Sequence, residues 1–159
     1  MPRFSLDAFD RKLLAFVQRD AGRSAEALAE DVGLSSSAVL RRLKRLRDAG
    51  VILATTAVID PAKVGKPNFF LAALEIERER PEMIARLRQW LAAEEGIQQV
   101  YYVTGTADFM LVVVAPDVAA YDALMSRLMA DNPNVRRFTT NVALGVGKRS
   151  LFVPVDPAD

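Results

Sequence analysis

The third helical segment of this chain carries a dense run of positive charge. Residues 41–47 read Arg-Arg-Leu-Lys-Arg-Leu-Arg, so five of the seven positions are basic. Val39, Leu43 and Leu46 recur at the spacing of one helical face, and Ser35 before them is a favourable N-cap. One side of this helix therefore packs against the protein, and the other side is cationic.

Two shorter helical segments precede the basic one. The first follows the N-cap Asp7 and is expected to extend to Gly22, and the second runs from Ser24 to Gly33. Gly50 is the expected stop of the third segment. A short helix, a tight turn that contains glycine and a longer basic helix are typical of a helix-turn-helix, which places its second helix in the major groove of DNA.

From residue 69 onward, strand patterns alternate with helical patterns. The predicted strands cover 69–77, 97–103, 109–115 and 138–144, with a short edge strand at 151–153, and the predicted helices cover 81–93 and the segment that Asp117 caps. The order β-α-β-β-α-β predicts a ferredoxin-like antiparallel sheet with helices on one face. Because the sequence encodes no further layer, a second copy of the chain is the simplest cover for the rest of the sheet.

These segments divide the chain into two domains of an α+β protein. Residues 1–52 are expected to form a winged-type helix-turn-helix domain, 53–67 a linker strand and hinge, and 68–159 a ferredoxin-like βαββαβ domain. The linker takes in most of an extended stretch at 51–59 and, after it, the breakers Gly65 and Pro67.

The sequence contains neither cysteine nor histidine. Disulfides, thiolate nucleophiles, Cys/His zinc sites and histidine-based catalysis are therefore excluded. The adjacent Glu94 and Glu95 point about 100° apart on a helix and cannot share a proton or a metal. No phosphate-loop or calcium-loop motif is present. We expect no catalytic residue, no metal site and no cofactor.

The apolar runs are short. None approaches the roughly 18 residues that a membrane-spanning helix requires, and residues 1–10 lack the apolar segment of a signal peptide. The sequence predicts a soluble, cytoplasmic protein without a membrane partner. The net charge is only +1, but residues 41–47 carry five basic residues and no acidic one.

The order and spacing of these motifs resemble the Lrp/AsnC (feast/famine) family of transcriptional regulators, over nearly the whole chain. In the N-terminal part, the resemblance rests on Val39 and on the segments at 6–14, 33–35, 41–46 and 50–52. In the C-terminal part, it rests on Asp60-Pro61-Ala62-Lys63-Val64-Gly65 and on Gly105-Thr106-Ala107-Asp108-Phe109.

The resemblance implies an N-terminal DNA-binding domain and a C-terminal effector and oligomerisation domain, of the type called regulation of amino-acid metabolism. It also implies homodimers, with tetramers or octamers as larger assemblies, and an amino acid bound near the Gly-x-x-Asp turn between dimers. The family turn is often Gly-Asp-Tyr-Asp, whereas this chain has Thr106 and Ala107 in the middle. A carboxylate and an aromatic ring are therefore missing from the expected effector site.

The exposed side of the basic helix supplies the candidate DNA contacts. Residues near the start of the helix are best placed for base edges, and the cationic residues for phosphates or guanine. Arg42 lies closer to the packed side of the helix. Its alternative role is therefore to hold the domain together rather than to contact DNA. The candidate DNA-binding residues are Ser36, Ser37, Leu40, Arg41, Arg42, Lys44 and Arg45.

The turn at 105–108 supplies the candidate effector site. Its backbone N–H groups are expected to meet a ligand carboxylate, and Asp108 to accept a hydrogen bond from an amino group. A purely structural hairpin is the alternative, because turns favour glycine and aspartate. The candidate effector-binding residues are Tyr102, Thr104, Gly105, Thr106, Ala107, Asp108 and Thr140.

The leading hypothesis is a sequence-specific, DNA-binding transcriptional regulator, at least dimeric and controlled by a small amino-acid-like effector. An alternative is an architectural DNA-binding protein that needs no effector. A remote alternative is a cofactor-free enzyme on a dimeric ferredoxin-like sheet, which would need convergent polar groups that the sequence does not show.

Overall fold

The structure, a computed structural model, describes residues 5–78 and 80–155. The chain forms two compact units. One unit is built from the chain up to Val58 together with the segment from Lys148 onward, and the other is Ile59–Gly147. Within the described ranges, no helix is long and apolar enough to cross a membrane.

Three helices form most of the first unit: α1 (Ala8–Val17), α2 (Ala25–Val32) and α3 (Ser36–Asp48). The predicted serine caps are confirmed, because the hydroxyls of Ser24 and Ser35 each accept a hydrogen bond from the backbone N–H group three residues later. Gly33 ends α2 with φ of 76°, a left-handed conformation that residues with a side chain rarely adopt.

The first helix is shorter than predicted. It ends at Val17, well before Gly22. The carboxylate of Asp20 accepts a hydrogen bond from the backbone N–H of Gly22 at 2.8 Å. This local turn competes with continuation of the helix.

The three helices enclose a single apolar core. Each contributes residues at helical spacing, and those of α3 are the three that the sequence predicts to face inward. The buried apolar residues are Leu13, Leu14, Leu28, Ala29, Val32, Val39, Leu43 and Leu46.

The predicted edge strand at 151–153 is wrong, because this segment lies beside α1 instead of joining the sheet. The side-chain amide of Gln18 donates to the carbonyl of Val153 at 3.1 Å and accepts from its N–H at 2.8 Å. The Arg19 guanidinium lies 5.3 Å from the centre of the Phe152 ring, and Val155 packs against the helical core. A side-chain amide thus takes the hydrogen bonds that a neighbouring strand would have made.

The stretch 51–59, predicted to be a linker strand, pairs with no other strand within the described part of this chain. A short 3₁₀-helix, Pro61–Lys63, follows it. The carboxylate of Asp60 caps this turn by accepting from the N–H of Ala62 at 2.9 Å.

The second unit confirms the predicted β-α-β-β-α-β order. Its elements are β1 (Asn68–Ile76), α4 (Pro81–Ala93), β2 (Ile97–Tyr102), β3 (Phe109–Ala115), α5 (Val118–Asp131) and β4 (Val135–Val142). The strands are ordered β2-β3-β1-β4, and every neighbouring pair is antiparallel.

One face of this sheet packs against both helices. Phe70, Ala72 and Leu74 alternate along β1 toward this core, and Phe109, Leu111 and Val113 do so along β3, as the period of two predicts. The helices contribute Leu87 and Leu91 from α4 and Tyr121, Leu124, Met125 and Leu128 from α5.

The last strand begins at Val135 rather than at 138. Its register with β1 shifts between Glu75 and Ile76, and the Glu75 carboxylate bonds both Arg136 and Arg137. These arginines hold the pKa of Glu75 below its ordinary value. The hydrogen bond from Arg137 has the larger effect, and that from Arg136 the smaller. Two consecutive arginines at a bulge hide the alternating pattern, so the sequence does not reveal the start of the strand.

The second face of the sheet has no helix over it in the described part of this chain. Leu71 on β1 is 42% exposed, and Met110 on β3 lies on the same face, opposite Ala73. Exposed apolar side chains on a sheet face mark a surface that another layer covers.

Candidate functional site

The basic helix α3 presents one continuous exposed stripe. Ser37, Leu40, Arg41 and Lys44 are all exposed, and their spacing of three and four residues places them in one row along the helix. Leu40 is 59% exposed although it is apolar. We call these four residues the α3 stripe.

The start of the stripe is ordered by the helix cap. The Ser35 hydroxyl caps α3 and lies 3.2 Å from the hydroxyl of Ser37. Ser36, also predicted to contact DNA, is only half-exposed. Hydroxyl groups at the N-terminal end of such a helix are suited to base edges and phosphates.

Lys44 is paired within its own helix. Its ammonium group bonds the carboxylate of Asp48 one turn later, and both side chains are exposed. An exposed pair of this kind contributes only a few tenths of a kcal/mol, up to about 1 kcal/mol. A phosphate can therefore replace Asp48 as the partner of Lys44 at little cost.

Arg42 is directed toward α1, which agrees with the alternative prediction that it holds the domain together. Its Nη1 lies 2.6 Å from Oδ2 of Asp7 and 2.9 Å from Oδ1 of Asp10. Its guanidinium also lies 5.4 Å from the centre of the Phe9 ring. The hydrogen bonds to the two carboxylates raise the pKa of Arg42 above its ordinary value, and the one to Asp7 has a larger effect than the one to Asp10.

Arg45 bonds the second oxygen of Asp10 through Nη2 and stays 47% exposed. Asp7 and Asp10 also form a reciprocal capping box at the start of α1, with each side chain bonding the other's backbone N–H. The N–H of Asp10, more than the Arg42 guanidinium, lowers the pKa of Asp7. Sequence reasoning identified Asp7 only as a cap and missed Asp10. The spacing Asp7-x-x-Asp10 was the available signal.

The candidate effector turn lies between β2 and β3. Gly105 has φ of 131°, which strongly favours glycine. Thr104, Gly105 and Thr106 are exposed, and Ala107 and Asp108 are half-buried.

Asp108 has a structural role in this turn. Its carboxylate accepts a hydrogen bond from the backbone N–H of Ile76 at 2.7 Å, and its own N–H donates to the carbonyl of Leu74 at 2.9 Å. It therefore attaches the turn to the end of β1, beyond the last β1–β3 pair. This contact engages one carboxylate oxygen, Oδ2.

Tyr102 lies beside the turn, on the helix-covered side of β2. Its ring packs on Phe109 at a centroid distance of 4.9 Å, and the Arg88 guanidinium lies 5.0 Å from its centre. Tyr101 points to the opposite face, where it pairs with Met110. Arg88 did not enter the sequence-based prediction, because no local pattern relates α4 to the end of β2.

Thr140 does not join this cluster within one chain. It lies on β4, at the opposite edge of the sheet from β2. Three strand spacings separate the two edge strands, roughly 14 Å. The turn thus brings together Tyr102 with residues 104–108 and leaves Thr140 apart.

The described chain has small cavities elsewhere, including the following two. One of about 180 Å³ is lined by Arg47 and residues 52–55, and one of about 100 Å³ lies between α4 and the start of β4. Both are smaller than the roughly 300 Å³ of ordinary ligand pockets. Within the described residues, no group of three or more acidic side chains is placed to hold a metal ion.

Two family models match this chain, one on each unit. The model of the AsnC-type helix-turn-helix domain matches residues 6–47, and that of the Lrp/AsnC ligand binding domain matches residues 70–151. An uncharacterized HTH-type transcriptional regulator of Sinorhizobium fredii is 37% identical over 151 residues, which cover 95% of this chain and 89% of that protein.

Solved structures share the fold. An AsnC family transcriptional regulator from Agrobacterium tumefaciens superposes with a TM-score of 0.83 at 30% identity, covering 94% of this chain and 97% of that one. A transcriptional regulator of Neisseria meningitidis, solved as a complex with L-Met, has a TM-score of 0.83 at 24% identity, covering 96% and 98%. With a basic helix-turn-helix, a ferredoxin-like sheet and these matches, the chain belongs to the Lrp/AsnC family of DNA-binding transcriptional regulators.

Proposed function

We propose that this regulator contacts the major groove through the α3 stripe and is controlled by an amino-acid-like effector at the turn 104–108. The observation that carries the first part is the stripe itself. Its four exposed residues form one row on a helix whose opposite side packs in the apolar core. Such a helix can enter a groove without rearrangement of the domain.

The proposed DNA contacts fall into two groups, those suited to bases and those suited to phosphates or guanine. Ser36 and Ser37 lie at the start of the helix, where base edges are within reach, and Leu40 is suited to a thymine methyl group. Arg41 and Lys44 are suited to phosphates or guanine. Arg45 borders the stripe, and Arg42 contributes through the packing of the domain.

A second copy of the chain completes the functional protein in this proposal. The open sheet face, with Leu71 and Met110, offers an apolar surface for a homodimer. A dimer would present two α3 helices to half-sites about 34 Å apart or at multiples of that distance. The proposal includes tetramers or octamers as larger assemblies of such dimers.

The effector part rests on the turn and on two comparisons. The matching model of the second unit is described as a ligand binding domain, and the Neisseria regulator was solved with L-Met. The backbone N–H groups around Gly105 suit a carboxylate, and Asp108 suits an ammonium group. Because the turn is open in a single chain, a second copy would have to close the site.

We further propose that the protein is not an enzyme and works in the cytoplasm, where a DNA-binding regulator meets its operators. An architectural role without an effector is the second candidate, since contacts to phosphates alone suffice to bind DNA. Titration with the common amino acids, followed by light scattering and DNA affinity, separates the two. A response of either quantity supports the effector, and no response supports the architectural role.

The DNA-contacting surface is tested by Arg41→Ala/Lys44→Ala. Duplexes are first selected by the wild type from a random-sequence pool, and affinity for them is then measured at several salt concentrations. We expect weaker binding and a salt slope smaller by about 0.9 for each phosphate that is no longer neutralised. Arg78→Ala/Arg86→Ala removes the same charge from exposed positions of the second unit and is the control. Equal effects of both double variants, or none, would contradict the assignment.

A further inference from the structure

Asp10 is a fully buried carboxylate between α1 and α3. Its side chain is 0% exposed, although aspartate is seldom buried unless it is paired. Both oxygens are engaged: Oδ1 accepts from Arg42, and Oδ2 accepts from Arg45 and, at 3.2 Å, from the N–H of Asp7. The burial is compensated because two arginines supply the countercharge.

Both arginines belong to the helix that carries the stripe. Arg42 is 22% exposed and shares its Nη1 between two carboxylates. Arg45 follows Arg41 by one helical turn, so its guanidinium lies at the border of the stripe. One buried carboxylate on α1 thus fixes two cations of α3 in different orientations, one inward and one at the edge of the candidate DNA surface.

We infer that Asp10 is a positioning residue for DNA recognition: it fixes the Arg45 guanidinium beside the stripe and keeps Arg42 from contacting phosphates. The inference rests on the proposed DNA-contacting surface. An ordered arginine contributes to discrimination between sequences, whereas an arginine on a free side chain adds only sequence-independent attraction. Asp10 therefore serves sequence specificity more than affinity.

The inference predicts changes in two DNA affinities, one for the selected duplex and one for a scrambled duplex. Asp10→Asn keeps the size of the side chain and one oxygen acceptor, but it removes the charge that bonds Arg45 and that shares Arg42 with Asp7. The released positive charge favours any DNA, while the loss of ordered geometry weakens binding to the selected sequence. Binding to selected and to scrambled duplexes should therefore change in opposite directions. A purely structural defect would weaken both together.

The experiment measures dissociation constants for the duplex that the wild type selects and for a scrambled duplex of the same composition. For Asp10→Asn we expect the preference for the selected duplex to fall about tenfold, near the lower end of what one ordered base contact contributes. Asp48→Asn is the matched control, because it frees Lys44 by removing an exposed carboxylate from the same helix. It should leave the preference within about twofold of the wild type.

A second variant covers the case in which Asp10→Asn fails to fold. Arg45→Gln leaves Asp10 paired with Arg42, and circular dichroism at the assay temperature checks that it is folded. We expect the same tenfold fall in the preference, and in Asp10→Asn/Arg45→Gln no further fall, because both changes remove the same interaction. An unchanged preference in Arg45→Gln, or in a folded Asp10→Asn, overturns the inference. If the wild type selects no duplex, the proposed DNA-contacting function fails first, and the inference fails with it.

Discussion

The phenol oxygen of Tyr121 on α5 lies 2.6 Å from the hydroxyl of Thr140 on β4. The ring of Tyr121 is stacked on Phe70 at a centroid distance of 4.0 Å. This residue therefore joins the helix layer to two strands of the sheet. The contact also engages the Thr140 hydroxyl within the second unit, whereas the sequence had placed that residue in the effector site.

Tyr121→Phe should destabilise the protein by about 1 kcal/mol at neutral pH, since it removes one hydrogen bond. Burial, only partly offset by the Thr140 hydrogen bond, raises the pKa of Tyr121 above the ordinary 10.0. The unfolded state then loses its proton at lower pH than the folded state, so this residue's contribution to stability falls as the pH rises above 10.0. Urea unfolding at neutral pH and above 10.0 should show a smaller alkaline loss in Tyr121→Phe than in the wild type. An equal alkaline loss would argue against this linkage.

Asp108 should respond differently to two substitutions. Asp108→Asn keeps an oxygen that can accept from the Ile76 N–H and should change stability little, whereas Asp108→Ala leaves that half-buried N–H unpaired and should cost about 1–3 kcal/mol. Both variants should lose any thermal stabilisation by amino acids, since both remove the negative charge. Thermal unfolding with and without each amino acid measures the two effects. If Asp108→Asn keeps the ligand response, the carboxylate does not bind the effector.

Leu71→Glu should disrupt the proposed homodimer. It places a charge in the middle of the open sheet face, where association would have to bury that charge without a partner. We expect a lower molecular mass by analytical ultracentrifugation with retained circular dichroism. Val118→Glu makes the same change at an exposed apolar residue at the start of α5 and should keep the mass of the wild type. If Leu71→Glu keeps the molecular mass of the wild type, the dimer interface does not include this part of the sheet face.

Gln18→Leu should loosen the C-terminal segment from α1. Both hydrogen bonds between Gln18 and Val153 are solvent-exposed, so the expected cost is below about 1 kcal/mol. Hydrogen exchange should be faster at the Val153 amide and unchanged in the sheet unit. Gln98→Leu, at an exposed position on β2, is the control. Unchanged exchange at Val153 would show that Gln18 does not hold the segment.

The sequence determined the features that depend on near neighbours. Ser24 and Ser35 begin their helices because a hydroxyl reaches an N–H three residues away, and Gly33 ends a helix because it tolerates a left-handed conformation. The inward row of α3 and the order of strands and helices follow from periodicity alone. The Gly105 turn was likewise predictable, since its positive φ favours glycine.

Only the tertiary structure decided which distant groups meet. The sequence shows five basic residues at 41–47, but the packing of α1 on α3 places Arg42 and Arg45 on Asp10 and leaves Arg41 and Lys44 on the stripe. The same holds for the C-terminal segment, which follows the sheet in sequence yet lies on α1. Caps and periodicity act over a few residues, whereas these pairings span more than thirty positions, and they exist only once separate elements have packed together.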